Sequence, residues 1–348
     1  MNTQGKLPLR TGPGWKEVSP RATGHRIAWE SEGEIRIGST DFSTIHRSAK
    51  VGPVESPLTY DPDEDRLFRY ACPDWDHSRN ENGILRIDPS NGDADILFPL
   101  HPLRWVPWLL QKIPGKPLLL GLVVTDASRP DRPGIVLQHQ VGLFHTGERK
   151  SLFRNLPAGC RNPVEAAPER DRILFHGPDG YQLVTLKGRR QLVLADPAWG
   201  DGRAGAAFRP GSEEIVIGGA ELSLLRPSKP RRIDLRKNAA CPAWIDPDRL
   251  FFAENSGQLS LLFFGEGRAE EVASIVGNRH PELKKAQPTE ISPDKRYFAV
   301  PFTRRAPFHS DTLHADQPLW SERQTLIVGD LEQREIWQHP GPVEQCVW

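Results

Sequence analysis

The chain has 348 residues, and its 45 lysines and arginines balance its 45 aspartates and glutamates. A neutral chain carries no bulk field to steer it onto nucleic acid or anionic lipid, so neither is an expected partner. No apolar run reaches membrane-spanning length, and the segment from Met1 to Pro8 lacks the apolar core of a signal peptide, so a cytoplasmic protein is expected.

Taken in order, the chain repeats one short unit, a strand that ends in a proline turn and is followed by an apolar strand. The unit appears at Trp15 to Pro20, Pro57 to Asp63, Pro163 to Glu169, Ala206 to Pro210, Pro242 to Asp248 and Pro288 to Asp294, with a degenerate copy ending at Pro114. The apolar strands that follow are His25 to Trp29, Arg66 to Tyr70, Pro117 to Val124, Asp171 to Phe175, Glu214 to Ile217, Arg249 to Ala253 and Tyr297 to Phe302. Each leads to a closing hairpin built on a short alternating strand, such as Ile35 to Ile37, Leu85 to Ile87 and Leu259 to Leu261, with turn residues such as Pro89 to Gly92. Proline turns, β-branched and aromatic strands and hairpins make each unit a four-stranded meander.

The spacing, roughly 37 to 54 residues, is that of propeller blades, and no helical periodicity of comparable length interrupts it. The expected fold is therefore all-β, a single seven-bladed β-propeller of four-stranded antiparallel blades in one domain, residues 1–348. The blades are placed at 14–50, 56–99, 104–154, 163–195, 205–235, 241–276 and 287–340. Residues 342–348 restart the repeat and are expected to close the ring by pairing with N-terminal segments, since an unpaired Cys346-Val347-Trp348 would leave an open edge. Cys72, Cys160, Cys241 and Cys346 lack metal-like or redox-like spacing, which suits isolated thiols in a reducing compartment.

The turn Ser292-Pro293-Asp294-Lys295 and the apolar strand after it resemble the blades of the TolB-type and WD-repeat-like β-propellers, which carry Ser-Pro-Asp-Gly at this point. Here lysine stands where that pattern has glycine, and Asp246-Pro247-Asp248 and Asp61-Pro62-Asp63 depart further. The resemblance spans nearly the whole chain and concerns fold, because such blades serve as scaffolds, binding modules and enzymes alike.

In a radial meander the connections after second and fourth strands share one face, here called the top. Three second-to-third connections are long, Cys72 to Gly83, Thr125 to Gly134 and Thr303 to Arg323, and they belong to blades two, three and seven. They carry Asp74, Trp75 and His77 on one loop and His309, His314 and Trp320 on another, while the blade-to-blade connections add His101 and His280. Imidazoles and carboxylates beside aromatic walls suit a polar ligand or a divalent metal, with His77, His309 and His314 as the candidate metal ligands. The alternative is that these are ordinary polar loop residues. A second constellation follows the repeat register. Glu17, Glu165, Glu290 and Glu344 each stand three residues before the turn proline or at the matching place, and together they would make an acidic channel; as acceptors of backbone hydrogen bonds they would be structural instead.

No Gly-x-Ser-x-Gly elbow, His-Glu-x-x-His motif, phosphate-binding glycine loop or dinucleotide fingerprint is present. The expected function is a non-catalytic binding or interaction propeller that presents its top face to a protein or small polar ligand. The second reading is a metal-dependent lyase or hydrolase, because the histidine-rich top is similar to that of oligogalacturonate lyases, propellers that hold a divalent metal at the channel mouth. No motif of theirs matches residue by residue, so no role is carried over, and no cofactor is firmly implied.

Overall fold

The fold is taken from a computed structural model. It describes residues 8–31, 34–43, 45–50, 58–61, 63–71, 83–91, 93–100, 104–106, 109–113, 115–126, 137–157, 160, 162–167, 171–177, 180–194, 205–218, 221–227, 232–237, 239–254, 257–275, 284–286, 289–308, 319–339, 341, 343 and 345–348. Every regular element among them is a β-strand.

The strands form seven separate sheets, each built on a four-stranded antiparallel meander, and in all but the first blade those strands run in chain order from the axis outward. Blade four shows the pattern with Asn162–Ala167, Arg172–Gly177, Gly180–Thr185 and Arg190–Leu194. Both faces of a blade are apolar, and a face finds cover only against the next blade. Seven apolar clusters accordingly form, each drawing its members from two adjacent blades. Phe68 and Tyr70 of blade two meet Leu119 and Phe144 of blade three, for example, and Leu174 and Leu183 of blade four meet Ile215 and Ile217 of blade five. The protein is a seven-bladed β-propeller.

Closure occurs in blade one. Its second to fourth strands are Arg26–Ser31, Glu34–Ser39 and Ile45–Lys50, and its innermost strand is Gln345–Val347 from the C-terminal end, with Trp29 opposite Cys346. The N-terminal copy of the repeat, Trp15 to Pro20, does not take that place. Lys16–Glu17 instead pairs in parallel with Glu335–Gln338, the outermost strand of blade seven, and Leu9–Thr11 pairs antiparallel with Arg268–Ile275, the outermost strand of blade six. Residues 9–17 thus form a strap across the rims of two blades. Trp15, 5% exposed, pins the strap between them, packing edge-on against Phe298 and donating its indole N–H to Glu270 at 2.8 Å.

The seam between blades seven and one is densely tied. The Trp348 ring stacks on Tyr297 at 5.9 Å, Trp337 donates its indole N–H to the Thr40 carbonyl, and Arg21 bridges Asp330 and Glu335 at 2.6 and 2.7 Å. His25 Nε2 lies 2.8 Å from Asp294 across the same seam.

The proline turns between first and second strands are held by side chains. In blade seven the Ser292 hydroxyl accepts the Tyr297 N–H at 2.8 Å while Asp294 Oδ1 accepts the Arg296 N–H at 3.2 Å. Lys295 is left at φ +61°, the left-handed conformation that glycine adopts without steric cost. This is the position where the resembling blades carry glycine. Lys295→Gly should therefore stabilise the protein by about 0.5–1 kcal/mol in urea unfolding, the gain in backbone freedom partly offset by the more flexible unfolded chain; a loss of stability would show that the lysine side chain holds the turn.

Candidate functional site

The top face is set by strand length. A second-to-third hairpin needs only two residues to turn in blade four, between Gly177 and Gly180, whereas blade seven uses strands of twelve residues each, Tyr297–Phe308 and Leu319–Asp330. These pair without a break from Tyr297 opposite Asp330 to Phe308 opposite Leu319. The segment Thr303 to Arg323, expected as a loop, is therefore largely a hairpin that continues above the blade, and only 309–318 connects its strands. Its β character was masked by the run Thr303-Arg304-Arg305-Ala306-Pro307, which shows no apolar alternation. A third strand, Lys284–Ala286, pairs alongside. Blade three rises in the same way, with nine-residue strands Leu118–Asp126 and Leu137–His145.

Asp74, Trp75, His77, His101, His280, His309 and His314 lie outside the described residues. Trp320 falls within the blade-seven extension, opposite Pro307 in the register. Among the described residues no three potential metal ligands gather at one point.

The glutamates expected around the axis separate into different environments. Glu17 does not face the channel: it stands on the outer rim of blade seven, where its carboxylate accepts a hydrogen bond from Gln338 at 3.2 Å, because the C-terminal strand occupies the inner position of blade one. Glu344 lies outside the described residues. Glu165 is on the inner strand of blade four and accepts the Ala166 N–H at 3.1 Å, the behaviour of a structural acceptor. Glu290 is on the inner strand of blade seven, and desolvation pushes its carboxyl up to about 7. Burial, not a neighbouring carboxylate, is the cause. Its charge in turn reaches the buried Cys346 thiol of the closing strand, which burial already holds well above the ordinary thiol range.

Two buried ion pairs stiffen the junctions of blades one, two and three. Arg69 and Glu30, essentially unexposed, meet at 2.7 Å between blades two and one, and Lys112 meets Asp61 at 2.6 Å between the inner strands of blades three and two. The Lys112 N–H also donates to the Thr59 hydroxyl. Burying such charges is unfavourable unless each is paired, so these contacts fix how the three blades stand relative to one another. The sequence does carry a sign of the first pair, since Arg69 is the one cation in the apolar run Leu67-Phe68-Arg69-Tyr70.

Known structures resemble the whole ring. The chain matches a computationally designed protein, Ika8, with a TM-score of 0.52 and 12% identity over 97% of this chain and 91% of that one. It matches the dihydro-heme d1 dehydrogenase NirN, solved in complex with DHE, with a TM-score of 0.58 and 11% identity over 98% of this chain and 78% of that one. The likeness is one of fold. A prolyl endopeptidase structure aligns with a TM-score of 0.50 and 11% identity, covering 94% of this chain and 47% of its own. No family model matches the chain, and no curated protein matches it in sequence.

The raised Glu290 gives a signed pH dependence. The folded state holds the proton more tightly than the unfolded chain, so the contribution of this group is fully present below about pH 4.5 and is lost as pH rises through about 7. Glu290→Gln should match the wild type near pH 4 and exceed it by about 1–3 kcal/mol at pH 8 in urea unfolding. Equal stabilities at both pH values would show that the carboxyl is solvated.

Proposed function

We propose that this protein is a non-catalytic binding propeller, TolB-type or WD-repeat-like in the construction of its blades, that recognises a protein or small polar ligand on its top face. The observation that carries the reading is the blade-seven extension. From Thr303 to Phe308 and back from Leu319 to Gln324 the backbone pairing continues past Phe302 and Thr325, which are both buried. Pairing six further residues on each strand costs conformational entropy, and a hairpin prolonged past what the other blades need is better accounted for by recognition than by folding. By the order of the meander, the connections that carry Trp75, His77, His101, His280, His309 and His314 are assigned to this same face.

The setting we propose is the cytoplasm, with no nucleic acid and no membrane as partner. The balanced charge supports this, as do Cys160, Cys241 and Cys346, which are buried free thiols. Among the described residues no helix is long and apolar enough to cross a membrane. The second reading, a metal-dependent lyase or hydrolase, draws its support from the histidines of the same connections.

Metal analysis of the purified protein, together with thermal-shift screening of wild type and a His77, His309 and His314 triple alanine variant, separates the two readings. The binding reading expects no stoichiometric divalent metal, and ligand-induced stabilisation that the triple variant loses while keeping the wild-type Tm. One equivalent of metal that the triple variant no longer holds would transfer the site to the metal-dependent reading. Ligand stabilisation unchanged in the variant would remove the histidines from the site.

A further inference from the structure

The strap takes no part in ring closure, which Gln345–Val347 completes, yet it occupies two sheet edges at once. Leu9–Thr11 extends the outermost strand of blade six and Lys16–Glu17 that of blade seven, whereas among the described residues the outermost strands of blades one to five carry no further strand. Between the two edges lies an apolar socket, where Trp15 packs in the cluster that contains Phe298, Leu331 and Ile336. Carboxylates border it. Glu270 accepts the Trp15 indole N–H and is shared by Arg334 at 3.1 Å and Arg268 at 3.4 Å, while Glu271 meets Arg10 at 3.3 Å and Glu335 meets Lys16 at 2.7 Å. The strap itself is lightly held. Of residues 9–17 only Gly12 and Trp15 are buried, its strands are three and two residues long, and the Arg10 and Lys16 side chains are 70% and 64% exposed, so their ion pairs contribute little. The closing strand contrasts with it, since Cys346, Val347 and Trp348 are all buried. Segments with so few buried contacts open locally while the rest of a fold stays intact.

We propose that the strap is the displaceable occupant of a strand-binding groove on the rims of blades six and seven, and that the groove takes in its place an extended, basic segment of a partner protein with an aromatic anchor. The strap shows what the groove accepts. Main-chain pairing at the two edges supplies a general hold, and the socket for an indole supplies selection, the division of labour found when a peptide adds a strand to a sheet. The segment must carry glycine where it leaves blade six, because a Cβ at position 12 would collide with the Glu271 carbonyl. Glu271 and Glu335, which hold the strap's own cations, favour a basic segment over an acidic one. The groove lies on the outer rim, so this inference stands apart from the top-face reading.

Titration of a fluorescently labelled peptide of residues 8–18 onto the full chain tests the proposal. Trp15→Ala empties the socket, and Gly12→Val lifts the strand off blade six while leaving the socket walls unchanged. The Trp15→Ala chain should bind the peptide at least roughly tenfold more tightly than wild type, whose own strap competes, and Gly12→Val should also exceed wild type. A peptide with alanine in place of its tryptophan should bind the Trp15→Ala chain at least roughly tenfold more weakly, and added salt should weaken the intact peptide. In hydrogen exchange on the wild-type chain, the amides of Gly12, Lys16 and Val18, which donate to Val272, Arg334 and Ile336, should exchange at least roughly a hundredfold faster than the strand amides of blades three to five. No binding to either variant at millimolar peptide, equal affinity for wild type and both variants, binding indifferent to the tryptophan, strap amides as protected as those of the blades, or loss of the folded ring in either variant would overturn the proposal.

Discussion

The structure depends on one constraint, that a blade cannot bury its own faces. Each apolar cluster is shared by two neighbours, so no blade is stable alone and none can be last. The ring must close. It closes on a three-residue strand, Gln345–Val347, which completes blade one from the opposite end of the chain and brings Trp348 onto Tyr297. Cys346 and Val347 are buried there, whereas Lys16 and Glu17, the rival for that position, are exposed on the rim.

This constraint divides the molecule by height. Between the blades, apolar packing and the buried Arg69–Glu30 and Lys112–Asp61 pairs leave little latitude, since removing either member would strand a charge. Above them, second and third strands can lengthen past the length the core needs. The extensions of blades three and seven use that freedom. The strap uses the rim in the same manner, covering edges of blades six and seven that would otherwise remain open.

Most of the architecture was legible because strand alternation and proline turns are local signals that recur with the blade. Lys295 at positive φ even accounts for a departure from the glycine of the resembling turn, since side-chain hydrogen bonds around Ser292 and Asp294 hold a conformation that lysine tolerates at a cost. What was not legible involved competition or distance. Trp15 to Pro20 and residues 342–348 both carry the start of the repeat, and packing, which no local pattern contains, gives the inner position of blade one to the second and sends Glu17 to the rim. The hairpin from Thr303 to Arg323 pairs through arginines and a proline, which carry no strand pattern. The desolvation of Glu290 arises from contacts between sheets, which no local window contains.

The central claim is that closure at the seam of blades seven and one holds the whole ring. Amide hydrogen exchange on a chain lacking residues 345–348 tests it most directly. The account predicts that protection falls in all seven blades, because one opened seam uncovers a face on each side and the shared clusters propagate the loss. Protection lost in blade one alone, with blades three to five as slow to exchange as in the full chain, would contradict it.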